Sequence, residues 1–225
     1  MKQYPFETTI THKKVKNGRI RIGPDSRVYV TVPHGADAED LIDSRMNWIK
    51  KKIAELDRLA SEYGAGEDGT FIYNGMMWHP VYSDKTPVSF SWPDVLYPSV
   101  ETLKKAVVKE LKADIGKRLD HYSGKMGVEY GRISVRNQKT RWGSCSGKGN
   151  LNFNIRAMAL AENTRNYLVV HELAHRLEMN HSPAFWKTVS MYYPGYREAE
   201  KELKAYWILT GRSRIWNALL NSGDR

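Results

Sequence analysis

The chain has 225 residues, of which 41% are hydrophobic and 27% charged, and its net charge is +10. This composition suits a globular protein with a substantial core and excludes a wholly disordered chain. No apolar run approaches the roughly 18 residues that a membrane-spanning helix needs, and no apolar signal-peptide region begins the chain, so we expect a cytoplasmic protein. The single cysteine, Cys145, excludes an internal disulfide and a zinc site built from several thiolates.

The first elements in chain order are three short strands, FETTITH, GRIRIG and RVYVTVP, which are rich in β-branched and aromatic residues and separated by turns. Residues 36–63 carry an apolar stripe at three- and four-residue steps, which predicts one long helix. The alternation of FIYNGMMWHPVYS around Asn74-Gly75 predicts a hairpin. For residues 87–98 the sequence predicts irregular structure.

A second long helix is predicted from Ser99 to about Lys125, followed by further strands within residues 131–154. Asn163 or Thr164 would cap a helix that runs to about Leu177, and Ser182-Pro183 would begin the next one. A last helix is expected over residues 197–210, with Gly211 ending it. The pattern predicts an α+β protein with an N-terminal strand, helix and hairpin portion over 1–95 and a second portion over 96–225.

Three of the seven histidines lie close together in VVHELAHRLEMNHSPAFW, residues 169–186. His171 and His175 have the spacing of an H-E-x-x-H motif, and on a helix such positions share one face, with Cβ atoms about 5–6 Å apart. Two imidazoles placed in this way reach one zinc ion. Glu172 would then act as the general base that takes a proton from an activated water.

His181 is the predicted third metal ligand, because it follows His171 by ten residues and lies just before the next helix. A catalytic zinc site needs three protein ligands and one open position. Glu178, which replaces the glycine of the metzincin pattern, and Glu198 or Glu200 on the following helix are alternative third ligands.

Three strings, RNQKTRWGSCSGKGNLNFNIR (136–156), YLVVHELAH (167–175) and NHSPAFW (180–186), resemble the YgjP-like metallopeptidase family, which is related to the SprT-like and WLM zinc proteases. GRIRIGPDSRVYVTVPHGADAEDL (18–41) is similar to its N-terminal region. The resemblance implies a zincin-like catalytic portion over 96–225, Zn²⁺ as cofactor and hydrolysis of peptide bonds. It also implies that His171, His175 and His181 are ligands and Glu172 the base. The family's Ala-Pro before the metal helix stands here as Ala161-Glu162.

Two residues before the histidine cluster have competing interpretations. Arg141 would anchor a carbonyl or carboxylate of the substrate, on a strand that could pair with an extended peptide. The alternative for this strand is structural: Trp142 packs, and Gly143 allows close approach of the backbone. Cys145 raises the alternative of a cysteine nucleophile, but the clustered histidines and Glu172 are better explained by a metal.

The charge distribution supplies a second functional hypothesis. Residues 101–160 carry 13 basic and 5 acidic side chains, a net +8, and the chain has 7 Trp and 13 Tyr that would stack on bases. The alternative function is therefore a nucleic-acid-binding protein with a mainly structural zinc site, although moderate basicity is also typical of an ordinary solvated surface. The two functions combine in a protease that acts on DNA-bound protein, as the SprT-like and WLM relatives suggest. The expected partners are a protein or peptide substrate and, through the basic surface, DNA.

Overall fold

The computed structural model describes residues 2–62 and 70–222, which fold as a mixture of helices and strands. The predicted α+β class is confirmed. The chain divides into two compact units, Met1–Ala65 with Trp207–Arg212 and Gly66–Tyr206 with Ser213–Arg225. Within the described residues, no helix combines the length and apolar character needed to cross a membrane.

The N-terminal unit contains a three-stranded sheet whose central strand is buried. Its strands are β1 (Thr8–Lys13), β2 (Arg19–Ile22) and β3 (Val28–Pro33), in the order β1-β3-β2. β3 runs parallel to β1 and antiparallel to β2. Val28, Val30 and Val32 alternate along β3 and are buried, because successive side chains of a strand point to opposite faces.

The prediction of a single helix over residues 36–63 is wrong, because the structure has two helices there, α1 (Ala38–Ser44) and α2 (Met46–Glu62). The Ser44 hydroxyl donates to the carbonyl of Leu41, and the Arg45 N–H donates to the carbonyl of Ile42. These bonds span three residues instead of four and end the first helix. The apolar stripe continues through the break, so periodicity alone does not reveal it.

The larger unit begins with a four-stranded sheet in the order β4-β5-β7-β6. The strands are β4 (Phe71–Tyr73), β5 (Met76–Tyr82), β6 (Ser89–Ser91) and β7 (Asp94–Tyr97). The predicted hairpin is confirmed, with positive φ at both Asn74 and Gly75. The irregular structure expected over 87–98 is wrong, because these residues form β6 and β7. Their prolines lie outside both strands.

Helix α3 (Val100–Met126) is the longest element of the larger unit, and the prediction of a helix from Ser99 to Lys125 is confirmed. It begins in a capping box formed by Ser99 and Thr102, and it ends at Gly127, whose φ is 63°. One face is fully buried: Leu103, Val107, Leu111, Ile115 and Leu119.

The remaining elements include those that surround the histidines. They are β8 (Ile133–Arg136), β9 (Gly143–Cys145), β10 (Leu151–Asn154), a 3₁₀ turn (Ile155–Ala159), α4 (Glu162–Ala174), α5 (Pro183–Tyr192), α6 (Tyr196–Arg212) and α7 (Arg214–Asn221). The three strands lie in the order β8-β10-β9, which makes β9 an edge strand. Strands within residues 131–154 and the helix beginning at Pro183 were predicted, whereas the turn and α7 were not.

The predicted ends of two helices are wrong. Helix α4 begins at Glu162 after Ala161, without a side-chain cap, and Thr164 lies inside it with its hydroxyl bonded to Glu202. It also ends at Ala174, three residues earlier than expected. Gly211 lies inside α6, which continues to Arg212. At Thr164, a hydrogen bond to another helix replaces the capping role that the sequence suggested.

Candidate metal centre

The helix that carries the H-E-x-x-H residues is anchored near its N-terminus by a buried arginine. Arg165 donates to the Asp114 carboxylate of α3 at 2.9 Å, and also to the carbonyl of Leu160 and the side chain of Asn74. The Arg165 side chain is only 3% exposed, so these bonds satisfy a charge that is nearly removed from water. The next turn of α4, from Tyr167 to Val170, is buried. The helix therefore presents His171 from a fixed position.

The structure brings the three predicted histidines together. His171 lies in the last turn of α4 and His175 caps the end of that helix one turn later, and the chain turns back so that His181 joins them. Nε2 of His171 and Nε2 of His181 are 3.1 Å apart. One ring nitrogen from each of the three histidines lies within 4.8 Å of the others.

Two of the histidines are held through their Nδ1 atoms. The Tyr167 hydroxyl is 3.1 Å from Nδ1 of His171, and the carbonyl oxygen of Glu178 is 3.1 Å from Nδ1 of His175. Since a carbonyl only accepts, Nδ1 of His175 carries the proton and Nε2 keeps a free lone pair. These contacts leave the Nε2 atoms of both rings available to a metal.

His181 is exposed, and an aromatic stack supports its ring. The Trp186 ring lies 5.7 Å from it at 26°, and Tyr196 stacks on Trp186 at 5.3 Å and 24°. Ser182 caps α5 by accepting from the N–H of Phe185, which fixes the start of the helix directly after His181. Phe185 is fully buried and its ring contacts all three histidines.

Glu172 lies against strand β9 with its carboxylate almost entirely removed from water. The residue is 3% exposed, and its Oε2 has no hydrogen-bond partner among the described residues. A Cβ atom at Gly143 would lie 2.4 Å from Oε1 of Glu172, so only glycine allows β9 to approach so closely. An unpartnered buried carboxylate is typical of a group that awaits a ligand or substrate.

Burial shifts the pKa values of the ionisable groups at the centre. It raises the pKa of Glu172 to about 8, against the opposing positive charge of Arg141. Burial, with the neighbouring His175 and His181, lowers the pKa of His171 to about 3. Burial also lowers the pKa of His175. Both rings are therefore neutral near pH 7, which is the state that binds metal.

A cavity of about 640 Å³ opens beside the histidines. Its lining comes from β9 with the two residues before it, from α4, α5 and α6, and from the segment between α4 and α5: Arg141, Trp142, Gly143, Ser144, Cys145, Tyr167, Leu168, His171, Glu172, His175, Met179, His181, Trp186, Glu200 and Leu203. The predicted substrate residue Arg141 is exposed and faces this cavity.

Cys145 also lines the cavity, but its surroundings do not favour a nucleophile. Burial and the charge of Glu172 raise the pKa of its thiol, with Arg176 opposing them. The thiol donates to the carbonyl of Ser146 at 3.4 Å. A reactive cysteine needs a lowered pKa and a nearby base.

The alternative carboxylate ligands lie outside the histidine cluster. Glu178 contributes its backbone carbonyl, and Glu198 is paired with Lys201 at 3.0 Å. Glu200 faces the cavity without joining the cluster. Within residues 2–62 and 70–222, the three histidines are the group whose ligand atoms could converge on a metal.

The sequence interpretation missed the contacts that three residues make with the metal-site residues. Tyr167 precedes His171 by four positions, so the one-turn spacing could have shown its contact. Trp186 lines the cavity and stacks on His181, a contact that the spacing of the two residues does not reveal. The pairing of Gly143 with Glu172 depends on how β9 packs against α4, and no local pattern encodes it.

Comparison with known proteins identifies one family. Residues 16–206 match the model described as YgjP-like, metallopeptidase domain. A solved structure, the metallopeptidase zymogen of Pyrococcus abyssi abylysin, is 28% identical over 39% of this chain and 88% of that chain, with a TM-score of 0.36. No curated protein matches the chain.

Proposed function

Because the chain belongs to the YgjP-like metallopeptidase family, we propose that it hydrolyses peptide bonds with a zinc ion held by His171, His175 and His181. Membership of the family implies a metal ion and protein or peptide substrates. The proposal that zinc is held by these three residues rests on one observation. A ring nitrogen of each histidine lies within 4.8 Å of the other two, beside a cavity. Three nitrogen ligands and one open position form a typical catalytic zinc site.

The residues present fit a zinc ion. Two nitrogens bound tetrahedrally at about 2.0–2.1 Å lie about 3.3 Å apart, close to the 3.1 Å between the Nε2 atoms of His171 and His181. The rings of His171 and His175 are neutral at pH 7 and held through Nδ1, as metal-binding histidines usually are. The unpartnered Oε2 of Glu172 supplies the base beside them.

When bound, the zinc ion would supply a Lewis acid that activates water and polarises the scissile carbonyl. Glu172 would take the proton of the attacking water and pass it to the leaving amine. Burial raises the pKa of Glu172 to about 8 against the positive charge of Arg141, so near neutral pH this side chain can both take up and release a proton.

The edge of β9 and Arg141 would position the peptide. No strand of the described residues pairs with the outer edge of β9, and its residues line the cavity. An extended substrate could therefore add to this edge through main-chain hydrogen bonds. The Arg141 guanidinium, exposed at the same wall, would bind a carbonyl or carboxylate of the substrate.

The decisive test combines zinc content with peptide hydrolysis. We expect Glu172→Gln to keep the metal and to lower the cleavage rate about 10²–10⁴-fold, because the general base is removed. His181→Ala should lose or weaken zinc binding, and Glu178→Gln, which keeps the carbonyl bonded to His175, is the matched control. Hydrolysis by Glu172→Gln at the wild-type rate would reject the mechanism, and absence of zinc after it is offered would reject the metal site.

A second candidate, binding of single-stranded DNA, is favoured by a cleft in the N-terminal unit. The cleft measures about 240 Å³ and is lined by Arg19, Arg45 and Trp48, which is 48% exposed. Neither guanidinium has an ion pair with a described residue. A base would stack on the indole while the arginines bind phosphates.

Fluorescence anisotropy of a labelled single strand at increasing salt tests this candidate. Arg45→Glu should weaken binding more than Arg58→Glu, an equal charge change on an arginine that faces Glu62 instead of the cleft. Equal losses would indicate general charge attraction only, and no binding at low salt would reject the candidate.

A further inference from the structure

Helix α6, which contributes to the lining of the cavity, carries three glutamates whose surroundings differ. Glu198 forms an ion pair with Lys201, and Glu202 accepts from the hydroxyl of Thr164. Glu200 faces the cavity, is partly buried, and has no hydrogen bond or ion pair with any residue that the structure describes. It is therefore a carboxylate that the fold places in the cavity and leaves without a partner.

Glu200 also lies close to the histidine cluster. Its negative charge acts on the hydroxyl of Tyr167, which contacts Nδ1 of His171. The cation of the cavity wall, Arg141, acts on Glu172 instead. Glu200 and Arg141 therefore lie near different groups, Tyr167 and Glu172, and do not form an ion pair with each other.

The apolar part of the same cavity lining suits a long side chain with a charged end. Leu168, Met179 and Leu203 contribute apolar surface, and Met179 is 56% exposed. Lysine and arginine bury their methylene groups along such surface while the charge binds elsewhere. A carboxylate partly removed from water is stabilised when a cation joins it.

We propose that Glu200 binds a positively charged group of the substrate, an ammonium or a guanidinium, and so selects peptides with that charge near the scissile bond. The cation is supplied by a Lys or Arg side chain or by the free amino terminus of the peptide. This inference rests on the proposed function, because it assigns the substrate class of the same cavity.

Peptide binding tests the assignment without requiring turnover. The probes are fluorescent peptides, acetylated at the N-terminus, that differ only by lysine or norleucine at one position scanned along the sequence. A further norleucine peptide keeps a free amino terminus. Each is titrated with zinc-loaded chains of wild type, Glu200→Gln and Glu198→Gln, and the zinc content of each protein is measured. Glu198→Gln is the matched control, because it removes a carboxylate from the same helix outside the cavity.

We expect wild type and Glu198→Gln to bind one charged probe about five- to tenfold more tightly than its neutral partner, with the preference falling as salt rises. Glu200→Gln should lose that preference and keep its zinc. Preference for an internal lysine or for the free amino terminus identifies which source supplies the cation.

Three results would overturn the inference: equal affinity of wild type for all the probes, a preference that survives Glu200→Gln, or loss of zinc from that variant. Loss of zinc from Glu200→Gln would mean that the negative charge of Glu200 stabilises the bound metal ion instead of binding substrate. If the preference appears but no peptide is cleaved, the proposed function fails and the assignment of Glu200 stands.

Discussion

The Tyr167 hydroxyl is a buried group whose contact with His171 orients a candidate ligand. The residue is 1% exposed, and its oxygen lies 3.1 Å from Nδ1 of His171. A ring that binds metal through Nε2 carries its proton on Nδ1 and donates it to that oxygen. Phenylalanine would leave this N–H buried without an acceptor, which costs about 1–3 kcal/mol.

Tyr167→Phe should therefore weaken zinc binding about 10–100-fold while the protein remains folded. Competition with a chelator of known affinity measures the effect. Tyr193→Phe is the control, because the Tyr193 ring packs 5.7 Å from that of Tyr167 and has no hydrogen bond to a histidine in the described chain. Unchanged zinc affinity in Tyr167→Phe would show that the hydroxyl does not orient the ring.

At the scale of residues, the sequence predicts contacts between neighbours along the chain and misses contacts between distant segments. The approach of His171 to His175 follows from one helical turn, and the spacing to His181 indicated a return of the chain. The close approach of Gly143 to Glu172 joins residues of a strand and a helix that are far apart in sequence. A single sequence contains no signal for such a pair.

At the scale of elements, the ion pair between Asp114 of α3 and Arg165 of α4 holds the metal helix in place. Nε of Arg165 and Oδ2 of Asp114 are 2.9 Å apart, and the Asp114 side chain is 25% exposed. Burial alone would raise the pKa of Asp114, but hydrogen bonds and positive charge from Arg118 and Arg165 outweigh it and lower that pKa. The folded protein therefore prefers the ionised carboxylate.

Asp114→Asn should lower the free energy of unfolding by about 3 kcal/mol near pH 7, because it leaves Arg165 buried without its counter-ion. The pKa of Asp114 in the folded protein is below its unfolded value of about 3.9. The loss of stability in Asp114→Asn is therefore full above about pH 4 and shrinks as the pH falls through the pKa of the folded state. Denaturant unfolding at several pH values measures it. Glu101→Gln, on the same helix in an exposed pair with Lys105, should change little at any pH. A pH-independent loss would contradict the role of the charge.

The elements themselves were predictable where several local signals agreed. Helix α3 combines a regular apolar face, a capping box and a glycine end, and its limits were predicted within one residue. The break at Arg45 and strands β6 and β7 were missed for opposite reasons. A continuous apolar stripe hid the break, and prolines beside the short strands suggested that no strands exist there.

At the scale of the whole molecule, the candidate ligands come from two parts of the larger unit. His171 and His175 belong to the end of α4, whereas His181 lies beyond it, directly before α5. A zinc ion bound to all three would tie these segments together in the folded state. Any ligand that binds only the folded chain stabilises it by mass action, by about 2.7 kcal/mol at 100 times its Kd.

Removal of zinc with a chelator should therefore lower the unfolding temperature, and the decrease should reverse when zinc is restored. Thermal unfolding followed by circular dichroism measures both steps. His181→Ala should unfold at nearly the same temperature with and without zinc, since the segment before α5 is no longer tied to α4. His121→Ala, which removes an exposed histidine of α3 outside the cluster, should respond to zinc as wild type does. An equal zinc response in His181→Ala would mean that the stabilising ion is bound without that ring, and the three-histidine centre would have to be abandoned.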